Sequence, residues 1–379
     1  VTVWADETAA SALAAIAGDF TTRRGTSVEI VEVPFASIRR DVVAAEDPPD
    51  LFVGAAAWTG ELRDAGAINA VRGIPQEGRN GFIQPALNGF VVDGALYGVP
   101  YAAETIALWV NVDLAGSEPV VTFDELLDRC DDLRGDAVCL AVAGGAGIPE
   151  AYYQYPFITA FGGSIFRYED GVGYVADRAG IDEPESVAAS VFLAAIGRGD
   201  YLPPLDYVTA KRRFLEGEVA FWLTGPWEAE AIAEAEENRG FTATVIPVPP
   251  IDGAPARPFV DAFGLFLATG ASTEAKIFLT DWLATGGAML SLAPAAPLLP
   301  AHEEAAARLA DPSRTPFLEA LRIGVPTPNL AVMTDQIWDT WGSALTTIRD
   351  ERADPATTLA EAARVIRGVL GLPQPPPEG

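Results

Sequence analysis

The sequence predicts an α/β protein built as two lobes. Three observations carry this expectation. Residues 1–53 alternate strand, helix, strand, helix and strand patterns. The alternation continues to about residue 370 with no low-complexity linker and no repeat at a solenoid period. At 379 residues, the chain exceeds what one hydrophobic core usually serves. A β-α-β-α-β order implies a parallel sheet covered by helices on both faces, and ligands bind such sheets outside the C-terminal strand ends. Without a linker, the alternation suggests two lobes that the chain crosses more than once.

The elements follow in order. Val1–Trp4 reads as a strand. Ala9–Arg24 places Leu13, Ile16, Ala17 and Phe20 at helical spacing and closes on Gly25 as a C-terminal cap. Val28–Val33 alternates as a second strand, Ser37–Glu46 is helical, and Asp50–Val53 is a short buried strand. Asp6, Glu7 and Gly54–Trp58 then lie at the C-terminal strand ends. Glu61–Ala65 with Gly66 is a short capped helix, and Leu96–Pro100 is strand-like. Thr122-Phe-Asp-Glu125 is a capping box that opens a helix through about Leu133. Ala137–Val142 is a strand followed by the Gly144–Gly147 loop. Helices are expected over Tyr152–Phe161, Pro184–Gly199 and Ala210–Glu216, then a strand over Val219–Leu223. Gly225-Pro-Trp227 opens a helix to about Glu237, with Pro in the first turn where it is tolerated. Thr244–Pro247 and Gly264–Ala268 are strands. Ser272–Thr285, Glu303–Ala310, Thr315–Ile323, Asp335–Arg349 and Thr357–Leu370 are helical. The Pro-rich end, from Pro373, reads as a frayed tail.

Composition narrows the function. Lys+Arg is 25 against 53 Asp+Glu, a net charge of −28, which repels nucleic acid and anionic membrane surfaces. A 49% hydrophobic chain with 8 Trp and 18 Phe can build cores and is not disordered. No run of 18 apolar residues offers a membrane span. The chain starts in a strand without an initiator Met, as a mature chain does once an export signal is removed, or as a chain trimmed for expression does. Cys130 and Cys139 fall late in a helix and early in a strand. In an exported protein they would form a disulfide worth about 2–3 kcal/mol by loop closure; otherwise they are two buried thiols.

His302 is the only histidine, so His-based triads, dyads and multi-His metal sites have one candidate residue between them. It reads as an exposed helix-start residue. Two cysteines cannot make a Cys₄ zinc site, and no phosphate loop, dinucleotide fingerprint, nucleophile elbow, metalloprotease or EF-hand motif is present. No cofactor and no metal are expected. What remains is a set of aromatic residues at loop–helix junctions: Trp58, Tyr152, Tyr153, Tyr155, Trp227, Trp338 and Trp341. Beside them stand the carboxylates Asp6, Glu7, Glu104 and Glu150. Aromatic faces stack on sugar C–H faces and carboxylates accept from hydroxyls, which is what a neutral polyhydroxylated ligand needs. Any single Trp is more often core than ligand platform.

In order and spacing, several segments resemble one family. They are Val3-Trp-Ala-Asp-Glu7, Pro49-Asp-Leu-Phe-Val53, Leu96-Tyr-Gly-Val-Pro100 with Glu104, and Val110-Asn-Val-Asp-Leu114. Thr122-Phe-Asp-Glu-Leu126, Glu150-Ala-Tyr-Tyr-Gln-Tyr155, Phe161-Gly-Gly163 and Phe214-Leu-Glu-Gly-Glu-Val-Ala220 follow. Thr224-Gly-Pro-Trp227, Pro258-Phe-Val260, Pro326-Thr-Pro-Asn329 and Trp338 complete the set. The chain resembles, essentially end to end, the extracytoplasmic solute-binding proteins of ABC importers, in particular the maltose/maltodextrin-binding group. The resemblance implies the two-lobe periplasmic-binding-protein fold. Each lobe would be a mostly parallel sheet flanked by helices, with a ligand cleft between lobes and three hinge crossings. Those crossings would fall near Glu104–Ala107, Pro258–Asp261 and Pro312–Thr315. One lobe would hold residues 1–104 plus 261–312, the other 105–260 plus 313–379. It further implies a non-enzymatic, monomeric receptor, lipid-anchored or periplasmic, that binds a maltooligosaccharide and docks on importer membrane subunits. By position, Trp58, Tyr152, Trp227 and Trp338 would stack on sugar rings, with Trp341 a rival to Trp338. Glu104 and Glu150 would accept from hydroxyls, and Asp6 or Glu7 would reach an end of the ligand.

The chain also departs from the pattern. Ala57 stands where relatives hold hydroxyls with Asp, Ala229 where an aromatic is frequent, and Asp261 where Gly is usual at the hinge. Other readings stay open: a glycoside hydrolase with Glu104 and Glu150 as acid and base, or a binding protein for trehalose, a galactoside or a glycerophosphate.

Overall fold

The structure is a computed structural model that describes residues 1–133, 136–144, 150–199, 201–293, 298–309 and 311–374. Its strands are β1 Thr2–Ala5, β2 Glu29–Glu32, β3 Leu51–Ala55, β4 Val91–Val92, β5 Ala95–Leu96, β6 Gly98–Glu104, β7 Ala107–Asn111 and β8 Val138–Val142. There follow β9 Phe166–Glu169, β10 Gly173–Ala179, β11 Val219–Thr224, β12 Ala243–Ile246, β13 Phe259–Leu267, β14 Leu299–Pro300 and β15 Val325–Pro326.

Two principal sheets organise them. The first has the order β14-β6-β13-β3-β1-β2, with β15 added alongside β13, and the second has the order β12-β7-β11-β8. The β-α-β-α-β start builds the expected parallel unit, since β1 pairs in parallel with both β2 and β3. In the second sheet β11 pairs in parallel with β8. Antiparallel strands interrupt these parallel units: β13 runs between β3 and β6, and β7 runs between β11 and β12. The interrupting strands are those beside the passages between sheets. The chain leaves the first sheet between Glu104 and Ala107 and returns to it between Ile246 and Phe259, and its last strand there is β15, which pairs in parallel with the start of β13.

Local sequence explains the elements that frame these sheets. Asp6 caps the helix Glu7–Arg24 by accepting from the Ala9 N–H at 2.9 Å, and Gly25 ends it with φ 74°. Thr122 and Glu125 form the expected capping box of the helix Phe123–Asp131. Cys130, at the end of that helix, and Cys139, in β8, are joined by a disulfide with their Cα atoms 5.1 Å apart. One apolar core lies around Leu13, Phe20, Phe52, Leu265 and Phe278 and runs on to Trp109 and Trp222 of the second sheet. The other lies on the far face of that sheet, around Leu140, Phe221, Phe157, Trp341 and Ile348.

The structure corrects two local expectations. His302 does start a helix, but it is buried rather than exposed. Its Nδ1 accepts from the Glu304 N–H at 3.2 Å and its ring meets Phe82 edge-on at 5.0 Å, so packing claims the side chain that the neighbouring Glu303 and Glu304 seemed to draw to solvent. The strand expected at Gly264 begins five residues earlier, at Phe259, with its first half pairing Glu104 and Ala103 of β6. Gly145–Gly147, Ala310 and residues 375–379 lie outside the described residues.

Candidate functional site

β13 carries the site's spine. Side chains alternate across a strand, so Phe259, Asp261 and Phe263 share one face. Each leads to a different group. Phe259 meets the helix Ala151–Ala160, with Tyr152 at 5.9 Å and Tyr155 at 3.5 Å between ring centroids, and it meets Trp338 edge-on at 5.7 Å. Phe263 meets Phe35 at 5.8 Å, and Phe35 meets Trp58 at 4.9 Å. Between the two aromatic groups stands Asp261, directly opposite Glu104 on β6. One strand therefore joins an aromatic group beside the first sheet to another beside the second, through a carboxyl pair.

The two flanking tryptophans arise in the same way. β3 ends in a 3₁₀ turn, Ala56–Trp58, and β11 ends through Gly225 in a 3₁₀ turn, Pro226–Glu228. In each the indole folds back over a glycine of the strand end. A Cβ on Gly54 would come within 2.7 Å of the Trp58 ring, and a Cβ on Gly225 within 2.0 Å of the Trp227 ring. Close approach, not a left-handed φ, is what requires glycine at both places. Arg39 also stands over the Trp58 ring, 5.7 Å from its centroid.

Trp227 is held by a polar chain. Its Nε1–H donates to the Tyr207 hydroxyl at 2.7 Å, and that hydroxyl donates to Glu228 Oε1. Glu228 is buried, and its Oε2 lies 2.8 Å from Lys211 Nζ. A buried carboxylate is tolerable here because it is both paired and hydrogen-bonded. Burial, reinforced by Glu228, pushes the Tyr207 phenol up to about 12. Tyr207 also meets Tyr153 at 5.6 Å, and Tyr153 meets Tyr152 at 5.4 Å.

The carboxyls differ in environment. Burial first, and Asp261 second, push Glu104 up to about 7. Asp261 is raised by burial against the opposing effect of the Thr327 and Tyr152 hydroxyls beside it. Burial alone raises Glu150. Tyr152 is raised by burial and by Asp261 and Glu104, and its hydroxyl forms no hydrogen bond of normal geometry.

The expected residues therefore divide. Contacts or direct electrostatic influence link Glu104, Glu150, Tyr152, Trp227 and Trp338 through Tyr153, Tyr207, Phe259 and Asp261. Trp58 belongs to the Phe35–Phe263 group. Asp6 spends Oδ1 on its helix cap and influences Tyr101 on β6, while Glu7 is exposed in the first helical turn. Trp341 is buried in the core, whereas Trp338 is half-buried. Sequence reasoning passed over Tyr207, Phe35 and Phe263. Tyr207 was legible from Asp206, an N-cap that accepts from the Thr209 N–H and starts the helix at Tyr207 rather than Ala210. Phe263 was legible from the alternation of Phe259, Asp261, Phe263 and Leu265.

Two sheets are thus joined by a spine that carries aromatic rings on either side of a carboxyl pair. The chain belongs to the bacterial extracellular solute-binding proteins, whose family profile matches residues 15–320. It is similar to the maltotriose-binding protein of Pyrococcus abyssi, 29% identical over 252 residues, or 64% of this chain. That match takes in 52% of the Pyrococcus protein, so the chain spans about half that relative's length. It is also similar to the galactooligosaccharide-binding protein of Bacillus subtilis, 25% identical over 97% of this chain and 89% of that protein. Among solved structures, a cyclo/maltodextrin-binding protein complexed with maltotetraose superposes with a TM-score of 0.83 at 25% identity, covering 97% of this chain and 96% of its own. These relatives are binding proteins. Among the described residues no helix is long and apolar enough to cross a membrane.

Proposed function

We propose that this chain is the substrate-binding receptor of an ABC importer and takes maltooligosaccharides between two lobes, by aromatic stacking and hydrogen bonds to carboxyls. The observation that carries the reading is the face of β13. Phe259, Asp261 and Phe263 link Tyr152 and Trp338 on one side to Trp58 on the other, with Glu104 beside Asp261. Trp58, Tyr152, Trp227 and Trp338 present ring faces, Glu104 and Glu150 accept from hydroxyls, and Asp6 or Glu7 meets one end of the sugar. Residues 1–104 with 261–312 form one lobe, and 105–260 with 313–379 the other. The three crossings near Glu104–Ala107, Pro258–Asp261 and Pro312–Thr315 act as the hinge. Closure over the sugar presents the surface that the importer's membrane subunits recognise. The protein works as a monomer outside the cytoplasmic membrane, without catalysis.

The galactooligosaccharide-binding relative, matched along 97% of the chain, favours a galactoside as the second reading. Calorimetry and thermal unfolding with maltose, maltotriose, maltotetraose, trehalose and a galactooligosaccharide separate the two. Maltotriose or maltotetraose should bind and stabilise the fold, by about 2.7 kcal/mol at a hundredfold excess over Kd. Preference for the galactoside would replace the ligand assignment, and turnover of maltotriose would overturn the receptor reading.

A further inference from the structure

Asp261 and Glu104 occupy directly opposed positions on β13 and β6. Opposed residues of an antiparallel pair hold their Cβ atoms about 4.5–5.5 Å apart, and like charges there repel. No cation offsets this repulsion among the described residues. Glu104 responds to burial and to Asp261, and Asp261 responds to burial and to the hydroxyls of Thr327 and Tyr152. The other ionisable groups nearby are acids and phenols. Tyr152 and Tyr153 come from the helix over the pair, and Glu150 and Glu228 act on Tyr153. Arg257, just upstream of β13, donates instead to the Ile323 and Gly324 carbonyls at 2.7 and 3.2 Å.

A second observation concerns the hydroxyls. The Tyr152 hydroxyl and Thr327 Oγ1 are buried beside Asp261 and act on its carboxyl, yet neither reaches it, or any other group, with normal hydrogen-bond geometry. Buried polar groups in folded proteins are nearly always paired. Here a set of two carboxyls and two hydroxyls at one point of the spine leaves hydrogen-bonding capacity unused.

We propose that Asp261 is a ligand-binding residue that works with Glu104 as a carboxyl pair sharing one proton, and that sugar capture requires that proton. The proposal rests on the sugar-receptor reading for its ligand, but the pair itself does not. With one proton, one carboxyl donates while its partner accepts, so adjacent hydroxyls of a sugar ring meet one donor and one acceptor. With no proton, two anions face each other in a site from which closure removes water. With two protons, the anionic acceptor is lost. Affinity is therefore highest when the pair holds one proton.

The sign follows from the titrations. Glu104, pushed up to about 7, sets the alkaline limb, and Asp261, raised above the usual aspartate range, sets the acid limb. Above about pH 7 the free protein has lost the proton that the complex needs. Binding then takes up a proton, and affinity falls as pH rises.

The test is calorimetry with maltotriose at about pH 6.5 and about pH 8.5, in two buffers of different ionisation enthalpy. Kd should rise about tenfold or more across this interval, with net proton uptake at the higher pH. Asp261→Asn supplies a neutral partner at every pH, so its Kd should be flat over the same range, without uptake. In the ligand-free protein, carbon-13 NMR should follow Glu104 titrating near 7, and in Asp261→Asn that titration should move down. A flat wild-type Kd without uptake, or a Glu104 titration unmoved by Asp261→Asn, would overturn the proposal. Maltotriose that fails to bind at either pH while the NMR titration moves as stated would reject the sugar class and leave the carboxyl pair standing.

Discussion

The orientation of Trp227 is decided away from its ring. The indole N–H, the Tyr207 hydroxyl, the Glu228 carboxylate and the Lys211 ammonium form one chain, whose first member is the ring proposed to stack on sugar. Trp227→Ala should weaken maltotriose binding by about 1–3 kcal/mol, the scale of losing a buried aromatic anchor. Tyr207→Phe keeps the ring but takes the acceptor from the indole and a donor from Glu228. It should lower stability by about 1–3 kcal/mol by leaving buried polar groups unpaired, with a smaller loss of affinity, measured by denaturant unfolding and calorimetry. His302 gives a different residue-scale prediction. Burial lowers its pKa below the ordinary value of 6.5, against the opposing pull of Glu304 and Glu303. Its contribution to stability is present above pH 6.5 and is lost as pH falls through the lower folded value. His302→Asn, which keeps a helix-capping acceptor, should flatten the acid side of the stability–pH curve below about pH 6.5.

At the scale of elements, the strand–glycine–turn junctions after β3 and β11 decide where Trp58 and Trp227 lie. Gly225→Ala places a methyl against the Trp227 ring, and that ring must swing away from Tyr207. Affinity should fall nearly as far as in Trp227→Ala, with a loss of stability no larger than that of Tyr207→Phe, which paired calorimetry and thermal unfolding would show. Elements of this kind were readable in the sequence wherever a local signal was strong. Thr122–Glu125, Gly25 and Gly225-Pro-Trp227 each announced a cap or a turn, and Thr315–Ile323 has the expected bounds. β13 was only half readable. Pro258 stands immediately before it and Asp261 lies in its first half, residues that discourage a strand assignment, and only the pairing with β6 makes a strand of it. The choice between Trp338 and Trp341 was beyond the sequence for a related reason. Both lie on the helix Asp335–Asp350 and both meet Phe259, and it is Trp341 that packs against Tyr155, which is remote in the chain.

For the whole molecule, the net charge of −28 outweighs individual ion pairs. Pairs such as Arg39–Glu61 and Arg322–Glu303 are exposed at both partners, and exposed pairs are worth about 0–1 kcal/mol each. Screening weakens those pairs, but it also weakens repulsion among an excess of carboxylates spread over the surface, and the excess is the larger quantity. Raising salt from about 20 mM to about 200 mM should therefore raise Tm. A fall would mean that the exposed pairs dominate.

The distribution of the 8 tryptophans has an optical consequence. Trp222 and Trp341 are sealed in the cores and Trp109 nearly so, so their fluorescence forms a constant background. Trp227 and Trp338 stand half-buried on the face that a sugar would cover, so water leaving their rings should shift their emission to shorter wavelength. The protein would then report its own occupancy without a dye, and in Trp227→Ala only the part of that colour change owed to Trp338 should remain.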